Sequence, residues 1–156
     1  MPRRSAAETR RVAVGSDERT PTTDAVVEEL ARRGIDVELH GPLAGNTKQW
    51  AEVSEEVARA VADGAADKGV LFCWTGTGCS MAANKIRGIR AALCTDAETA
   101  RGARQWNDAN VLAMSLRLTT PILAREILSS FLETDDVDPT EVPNIERLRA
   151  IESGGS

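Results

Sequence analysis

Cys73 and Cys79 bracket the stretch of this chain with the most chemistry in it, Cys73-Trp74-Thr75-Gly76-Thr77-Gly78-Cys79. A thiol is a poor base until it ionises, and a helix N-terminus or a cluster of donors makes ionisation easier. The residues leading in, Val70 to Cys73, form an apolar run that reads as a buried strand. Those leading out, Ser80-Met81-Ala82-Ala83-Asn84-Lys85, read as the first turns of a helix. A strand, a glycine turn and a helix start aim backbone N–H groups at one point, where any negative charge that forms is stabilised. Gly76 and Gly78 let the backbone approach a ligand closely. Thr75, Thr77 and Ser80 add hydroxyls around the same turn.

Those residues need elements to position them. Arg11 to Asp17 reads as a short strand that leaves Asp17 at its C-terminal edge. Thr20-Pro21 starts a helix whose apolar stripe, Val26, Val27, Leu30 and Ala31, stops at Gly34. Asp36 to His40 alternates like a strand, and Trp50, Val53, Val57, Ala60 and Val61 mark the next helix. Ile89 to Cys94 is a fourth strand, with Cys94 a core residue. Thr95-Asp96-Ala97-Glu98 has the spacing of a capping box that opens a fourth helix. Asn110 to Ser115 is a fifth strand, followed by a helix after Pro121. The acidic stretch 133–143 reads as a loop, and Ile145, Leu148 and Ile151 lie on a closing helix.

Five alternations of strand and helix, with strands mostly apolar on both faces, predict an α/β fold: a parallel sheet covered by helices on both faces. Such sheets bind ligands beyond the C-terminal ends of their strands. Asp17, Trp50, the Cys73–Gly78 stretch and Arg117 are expected at those ends. Trp50, Trp74 and Trp106 lie in or beside loops on this binding edge and are expected to offer flat apolar surface to a ligand. Plainer readings exist for several of these: Asp17 as a helix-entry cap, Arg117 as a surface cation, the tryptophans as interface or core filling.

At 156 residues the chain is expected to form one domain, 11–152, between flexible tails at 1–10 and 153–156. The net charge of -5 argues against nucleic acid and anionic membrane as partners. No apolar run approaches the roughly 18 residues of a membrane span. The first ten residues are charged and lack a signal-peptide core. Three cysteines, an odd number in a domain of this size, fit a reducing, cytoplasmic setting.

The stretch from Cys73 to Lys85, with Gly88-Ile89-Arg90-Ala91-Ala92-Leu93-Cys94 and Trp106-Asn107-Asp108-Ala109-Asn110-Val111-Leu112-Ala113, resembles ribose-5-phosphate isomerase type B and the galactose-6-phosphate isomerase subunits. The resemblance runs from about Val12 to Phe131. It implies a Rossmann-like sheet of order 2-1-3-4-5 and a homodimer, with a tetramer as a larger option, whose sites are completed across the interface. It also implies aldose–ketose isomerisation through an enediol, without metal or organic cofactor. Cys73 matches the base of one branch of the family. Cys79 stands where the other branch has a glutamate base, and is the second candidate. The Thr75-Gly76-Thr77-Gly78 loop is implied to donate N–H groups to the enediolate, and Asn107 matches an asparagine that touches the same oxygen. Asp17 matches a site aspartate.

The departures mark a divergent subgroup. Glu18 and Trp106 replace two family histidines, and Gln49-Trp50-Ala51 replaces an Asp-Tyr-Pro stretch. His40, in a strand, matches neither histidine. Thr140 and Asn144 stand where the family carries phosphate-binding arginines, leaving Arg117 as the surviving phosphate contact. Two functions are therefore expected: an isomerase of a sugar or sugar phosphate, or a non-catalytic sugar-binding paralogue. For the isomerase, ribose 5-phosphate is expected to be a poor substrate.

Overall fold

The three central strands are apolar on both faces, so the sheet must be covered on both sides. The computed structural model describes residues 9–154. Its elements are β1 (Arg11–Ser16), α1 (Pro21–Arg32), β2 (Asp36–His40), α2 (Trp50–Ala62), β3 (Lys68–Cys73), α3 (Thr77–Asn84), β4 (Ala91–Leu93), α4 (Ala97–Asn107), β5 (Val111–Ser115), α5 (Pro121–Glu133) and α6 (Val142–Glu152). All strands are parallel, in the order β2-β1-β3-β5-β4.

The Rossmann-like α/β sheet is the expected one, but its last two strands are exchanged relative to the expected 2-1-3-4-5. β5 pairs with β3, and β4 forms the edge. Burial gives the reason. β5 is buried along all five residues, whereas β4 has three residues, each partly exposed. The strand with more apolar surface takes the covered position.

Alternation along the strands separates two cores. Val12, Val14, Val70, Phe72, Leu112 and Met114 face α1, α4 and α5, where Leu30, Ala103, Ile127 and Phe131 are buried. Ala13, Leu71, Cys73, Val111 and Ala113 face α2 and α3, against Val53, Val57, Cys79 and Ala83. Cys94 joins the first core, as its sequence context indicates. Cys73 and Cys79 share the second, which brings the two thiols to one side of the sheet.

Helix starts follow capping chemistry. Thr20 accepts from the Thr23 backbone N–H, and Thr23 Oγ1 accepts in return from the Thr20 N–H. On α4 the cap is Asp96, one residue later than the expected Thr95, and its carboxylate accepts from the Thr99 N–H at 2.7 Å. Aspartate outranks threonine at this position.

The expected tails are shorter than the sequence suggests. Thr9 is buried and accepts from Lys68 Nζ at 2.9 Å. The Arg10 N–H donates to Asp67 Oδ2 at 2.8 Å. Ser153 caps the end of α6. The rest of the two tails, 1–8 and 155–156, lies outside the described residues. No helix among the described residues is long and apolar enough to cross a membrane.

Candidate active site

The strand order reverses between β1 and β3, because β2 lies on one side of β1 and the later strands lie beyond β3. A crevice opens at such a switch point beyond the C-terminal strand ends. Ser16 of β1 is in register with Phe72 of β3, so the next residues, Asp17 and Cys73, stand side by side at its mouth. On the other side Cys73 pairs with Ser115 of β5.

The chain leaves Cys73 through an exposed Trp74 and Thr75 and then turns at Gly76, which caps α3 with φ +77°. This left-handed turn requires glycine twice over. A Cβ on Gly76 would lie 2.5 Å from Leu93 Cδ1 and 3.0 Å from the backbone at Met114 and Ser115. The turn carries the first residues of α3 back over Cys73. Cys79 is fully buried there, and its thiol has two acceptors within reach: the Gly76 carbonyl at 3.3 Å and the Cys73 sulfur. One proton serves both, and an ionised Cys73 is the stronger acceptor.

The electrostatics follow from this packing. The Cys79 thiol hydrogen bond, with backbone N–H groups of Cys79, Gly76 and Thr75, overcomes the cost of burial and lowers the Cys73 pKa to about 6. Cys79 moves the other way, far above the ordinary thiol range, because it is the donor to Cys73 and is itself buried. The two cysteines are thus split into an anion and its neutral donor. Burial raises the Asp17 carboxyl, the adjacent Glu18 adds to the rise, and Asp17 is near enough to push Cys79 up as well.

Around this centre, Thr75 and Thr77 hydroxyls bond to each other at 2.7 Å, and Ser80 Oγ donates to the Thr77 carbonyl at 2.8 Å. The Arg117 N–H donates to the Trp74 carbonyl at 2.9 Å, which sets Arg117 beside Trp74. Of the cations at this edge, Arg19 pairs with Asp24 and Lys48 with Glu56, while Arg117 is exposed and enters no ion pair among the described residues. Trp74 projects freely at 58% exposure. Trp50 does not: its ring packs on Gly78, where a Cβ would meet ring atoms at 3.0–3.3 Å. It forms a wall of the loop.

Two expected residues are absent from this edge. α4 runs antiparallel to the strands, so Trp106 and Asn107 at its end lie at the opposite edge of the sheet. Val111 is in register with Gly69 and Ser115 with Cys73, a strand length of roughly 13 Å apart. The Trp106 ring packs on Gly102 of its own helix instead. Thr140 and Asn144 lie away from the crevice too, since the Asp138 N–H donates to the Gln105 carbonyl on the last turn of α4.

Two supporting residues escaped the sequence reading. Leu93 lies beneath Gly76, and Ser115 Oγ donates to the Trp74 carbonyl at 3.0 Å. Ser115 is identified by the pairing of β5 with β3 and Leu93 by that of β4 with β5, and no local pattern announces either pairing. Among the described residues, no group of three or more His, Cys, Asp or Glu side chains is placed to hold a metal.

Known proteins resemble this chain in sequence and in fold. Residues 12–149 match the family described as Ribose/Galactose Isomerase. Ribose-5-phosphate isomerase B of Escherichia coli is 37% identical over 127 residues, covering 81% of this chain and 85% of that protein. D-erythrulose-4-phosphate isomerase of Pectobacterium atrosepticum is 32% identical over 139 residues, covering 88% and 91%. The solved type B ribose 5-phosphate isomerase of Trypanosoma cruzi superposes with a TM-score of 0.85 at 35% identity, covering 94% of this chain and 98% of the other. With likeness running through sequence and fold alike across nearly its whole described length, this chain belongs to the ribose/galactose isomerase family, a family of sugar-phosphate isomerases.

Proposed function

We propose that this protein is a cofactor-independent aldose–ketose isomerase of a sugar phosphate, with the Cys73 thiolate as the proton-transfer base. The observation that carries this reading is the split thiol pair. A base with a pKa near its working pH combines adequate basicity with a high ionised fraction, and Cys73 at about 6 meets that demand. Cys73 Sγ removes the proton from the carbon next to the substrate carbonyl. The negative charge moves to the carbonyl oxygen, forming an enediolate. Sulfur, now neutral, releases the N–H groups of Thr75, Gly76 and Cys79 to bond that oxygen. Asp17 carries a proton between the two substrate oxygens, and Cys73 returns its proton to the former carbonyl carbon. Atoms and electrons balance without an outside oxidant or reductant.

Trp74 provides a stacking face for the sugar, and Arg117 the cation for its phosphate. Thr77, Gly78 and Ser80 line the entrance beside them, and Trp50 backs the loop.

The position of Asn107 supports a homodimer in which each subunit completes the other's site. A groove of about 890 Å³ runs between α3, β4, α4 and α6, lined in part by Leu93, Trp106, Asn107, Leu148 and Ile151. Trp106, Leu148 and Ile151 are exposed apolar residues along the open β4 edge. A second copy seated there buries them and protects the edge. Two-fold symmetry then allows Asn107 of each subunit to reach the other's Cys73.

The test is isomerisation of a panel of aldose and ketose phosphates in D₂O, followed by NMR. The expected result is interconversion of at least one pair, with solvent deuterium at the carbon that exchanges its proton. Turnover without any deuterium, across all substrates converted, counts against an enediol route, and a panel without turnover counts against the enzyme.

A further inference from the structure

Asp108 is the sole non-glycine residue with positive φ among the described residues, at φ +50°. It ends α4 directly after Asn107 and turns the chain into β5. Aspartate tolerates this left-handed conformation better than most residues, yet it still prefers others. Something must hold it, and two arginines from different parts of the chain do.

Arg90, just before β4, donates from Nε to the Asp108 carbonyl at 2.8 Å, and its Nη2 stands 3.5 Å from Asp108 Oδ2. Arg104, one helical turn earlier on α4, donates from Nη1 to Asp108 Oδ1 at 3.4 Å and to the Ala109 carbonyl at 2.6 Å. Arg104 is in turn fixed by the Thr134 carbonyl at 3.0 Å, by Asp135 Oδ1 at 3.2 Å and by the Phe131 ring beneath it. Arg90 is fixed by Asn110, whose Oδ1 accepts from the Arg90 N–H at 2.8 Å. Both sides of the Asp108 carboxylate and the peptide groups flanking it are therefore committed. The Asp108, Arg90 and Arg104 side chains are 17%, 17% and 7% exposed, so water competes weakly for these bonds.

From this geometry we infer that Asp108 and its two arginines are positioning residues for the reaction, clamping the end of α4 so that Asn107 is presented in one fixed orientation to the site it serves. This rests on the reading above that Asn107 acts in a site, which is a partner subunit's. Asn107 itself is exposed and is the last residue of its helix, where fraying would otherwise spread it over many orientations. A displacement of about an ångström in a positioning group is enough to cost on the order of 100-fold in rate.

The experiment compares Asn107→Ala, Asp108→Ala, Asp108→Gly, Asp108→Asn and the double variant Asn107→Ala/Asp108→Ala, with sedimentation and thermal melts on each. The expected result is a loss in kcat of about 10- to 100-fold for Asp108→Ala with KM changed far less. Asp108→Asn, which accepts the left-handed turn and keeps an acceptor oxygen, is expected within roughly fivefold of wild type. Asp108→Gly, which accepts the turn but has no carboxylate, is expected to lose about as much as alanine. The double variant is expected to match Asn107→Ala alone, because Asp108 acts through Asn107. If the two losses multiply, or if glycine restores activity, the clamp is wrong. If Asn107→Ala is impaired while Asp108→Ala is not, the clamp fails and the role of Asn107 stands. If Asn107→Ala keeps full activity, the underlying reading fails and the clamp with it. Should Asp108→Ala not fold, Arg90→Lys, which cannot bond the carbonyl and carboxylate of Asp108 together, replaces it with the same expectation.

Discussion

Cys73 and Cys79 are chemically identical side chains made different by a single turn of backbone. The donor of the pair stays neutral and the acceptor ionises, and the assignment depends on which sulfur receives the loop N–H groups. Replacing Cys73 by alanine is expected to remove three or more decades of kcat with little change in the melting temperature, since general-base catalysis alone is worth about 10²–10⁴-fold. Steady-state kinetics on Cys73→Ala and Cys79→Ala settle the assignment: an active Cys73→Ala beside an inactive Cys79→Ala reverses it. The pH dependence carries a definite sign. Only ionised Cys73 is a base, so kcat/KM is expected to rise with pH through about 6 and to be lost below it. Cys79→Ala deletes the main bond that favours the thiolate, and its acidic limb is expected to move up toward the ordinary thiol range near 8.5. An unmoved limb excludes Cys73 as the titrating group.

At the scale of elements, the β3–α3 turn is the part that tolerates least change. Gly76 supplies a left-handed turn and a surface without a Cβ, and Leu93 together with the backbone at Met114 and Ser115 occupies the space a Cβ would need. Gly76→Ala therefore combines backbone strain with overpacking and is expected to cost at least about 2 kcal/mol of stability. Because the same turn delivers the donors to Cys73, activity is expected to fall beyond what the loss of folded protein explains. Urea unfolding alongside kinetics on the folded fraction measures both, and a variant with unchanged stability and rate removes the turn from the mechanism.

At the scale of the molecule, the two halves of the expected site lie at opposite edges of one sheet. Composite sites make a specific demand on mixed dimers. Cys73→Ala subunits mixed with Asn107→Ala subunits, each impaired alone, are expected to form heterodimers that contain one complete site. Random exchange makes half the dimers mixed, so activity is expected to recover to roughly a quarter of wild type. No recovery after confirmed subunit exchange means that the sites are not shared. The substrate question belongs to this scale as well. Thr140 and Asn144 cannot form the bidentate bonds of arginine, and each donates to a carboxylate instead, Thr140 to Asp138 and Asn144 to Glu141. Ribose 5-phosphate is expected to turn over poorly compared with another sugar phosphate or a sugar without the terminal phosphate. A kcat/KM above roughly 10⁴ M⁻¹s⁻¹ on ribose 5-phosphate, lost steeply on Arg117→Ala, would falsify that expectation and make Arg117 a sufficient phosphate anchor.

The sequence by itself determined what is local. An apolar run placed Cys73 at a strand end, glycines marked the turn, and a helix start put Cys79 one turn further on, so the centre of the candidate site was readable from a dozen consecutive residues. The parallel sheet was readable too, because strands mostly apolar on both faces and alternating with helices need a helix layer on each side. Tertiary structure decided what depends on distant pairing. β5 displaced β4 from the position beside β3, which made Ser115 a support of the loop, while Leu93 reaches Gly76 from the edge strand. The direction of α4 carried Asn107 and Trp106 to the far edge, although sequence motifs grouped them with Cys73. The clamp on Asp108 joins residues 90, 104 and 108 through bonds that no periodicity encodes. Apolar patterns specify which face of an element is buried, but not which neighbour buries it. That choice is made by competition for covered surface across the whole chain.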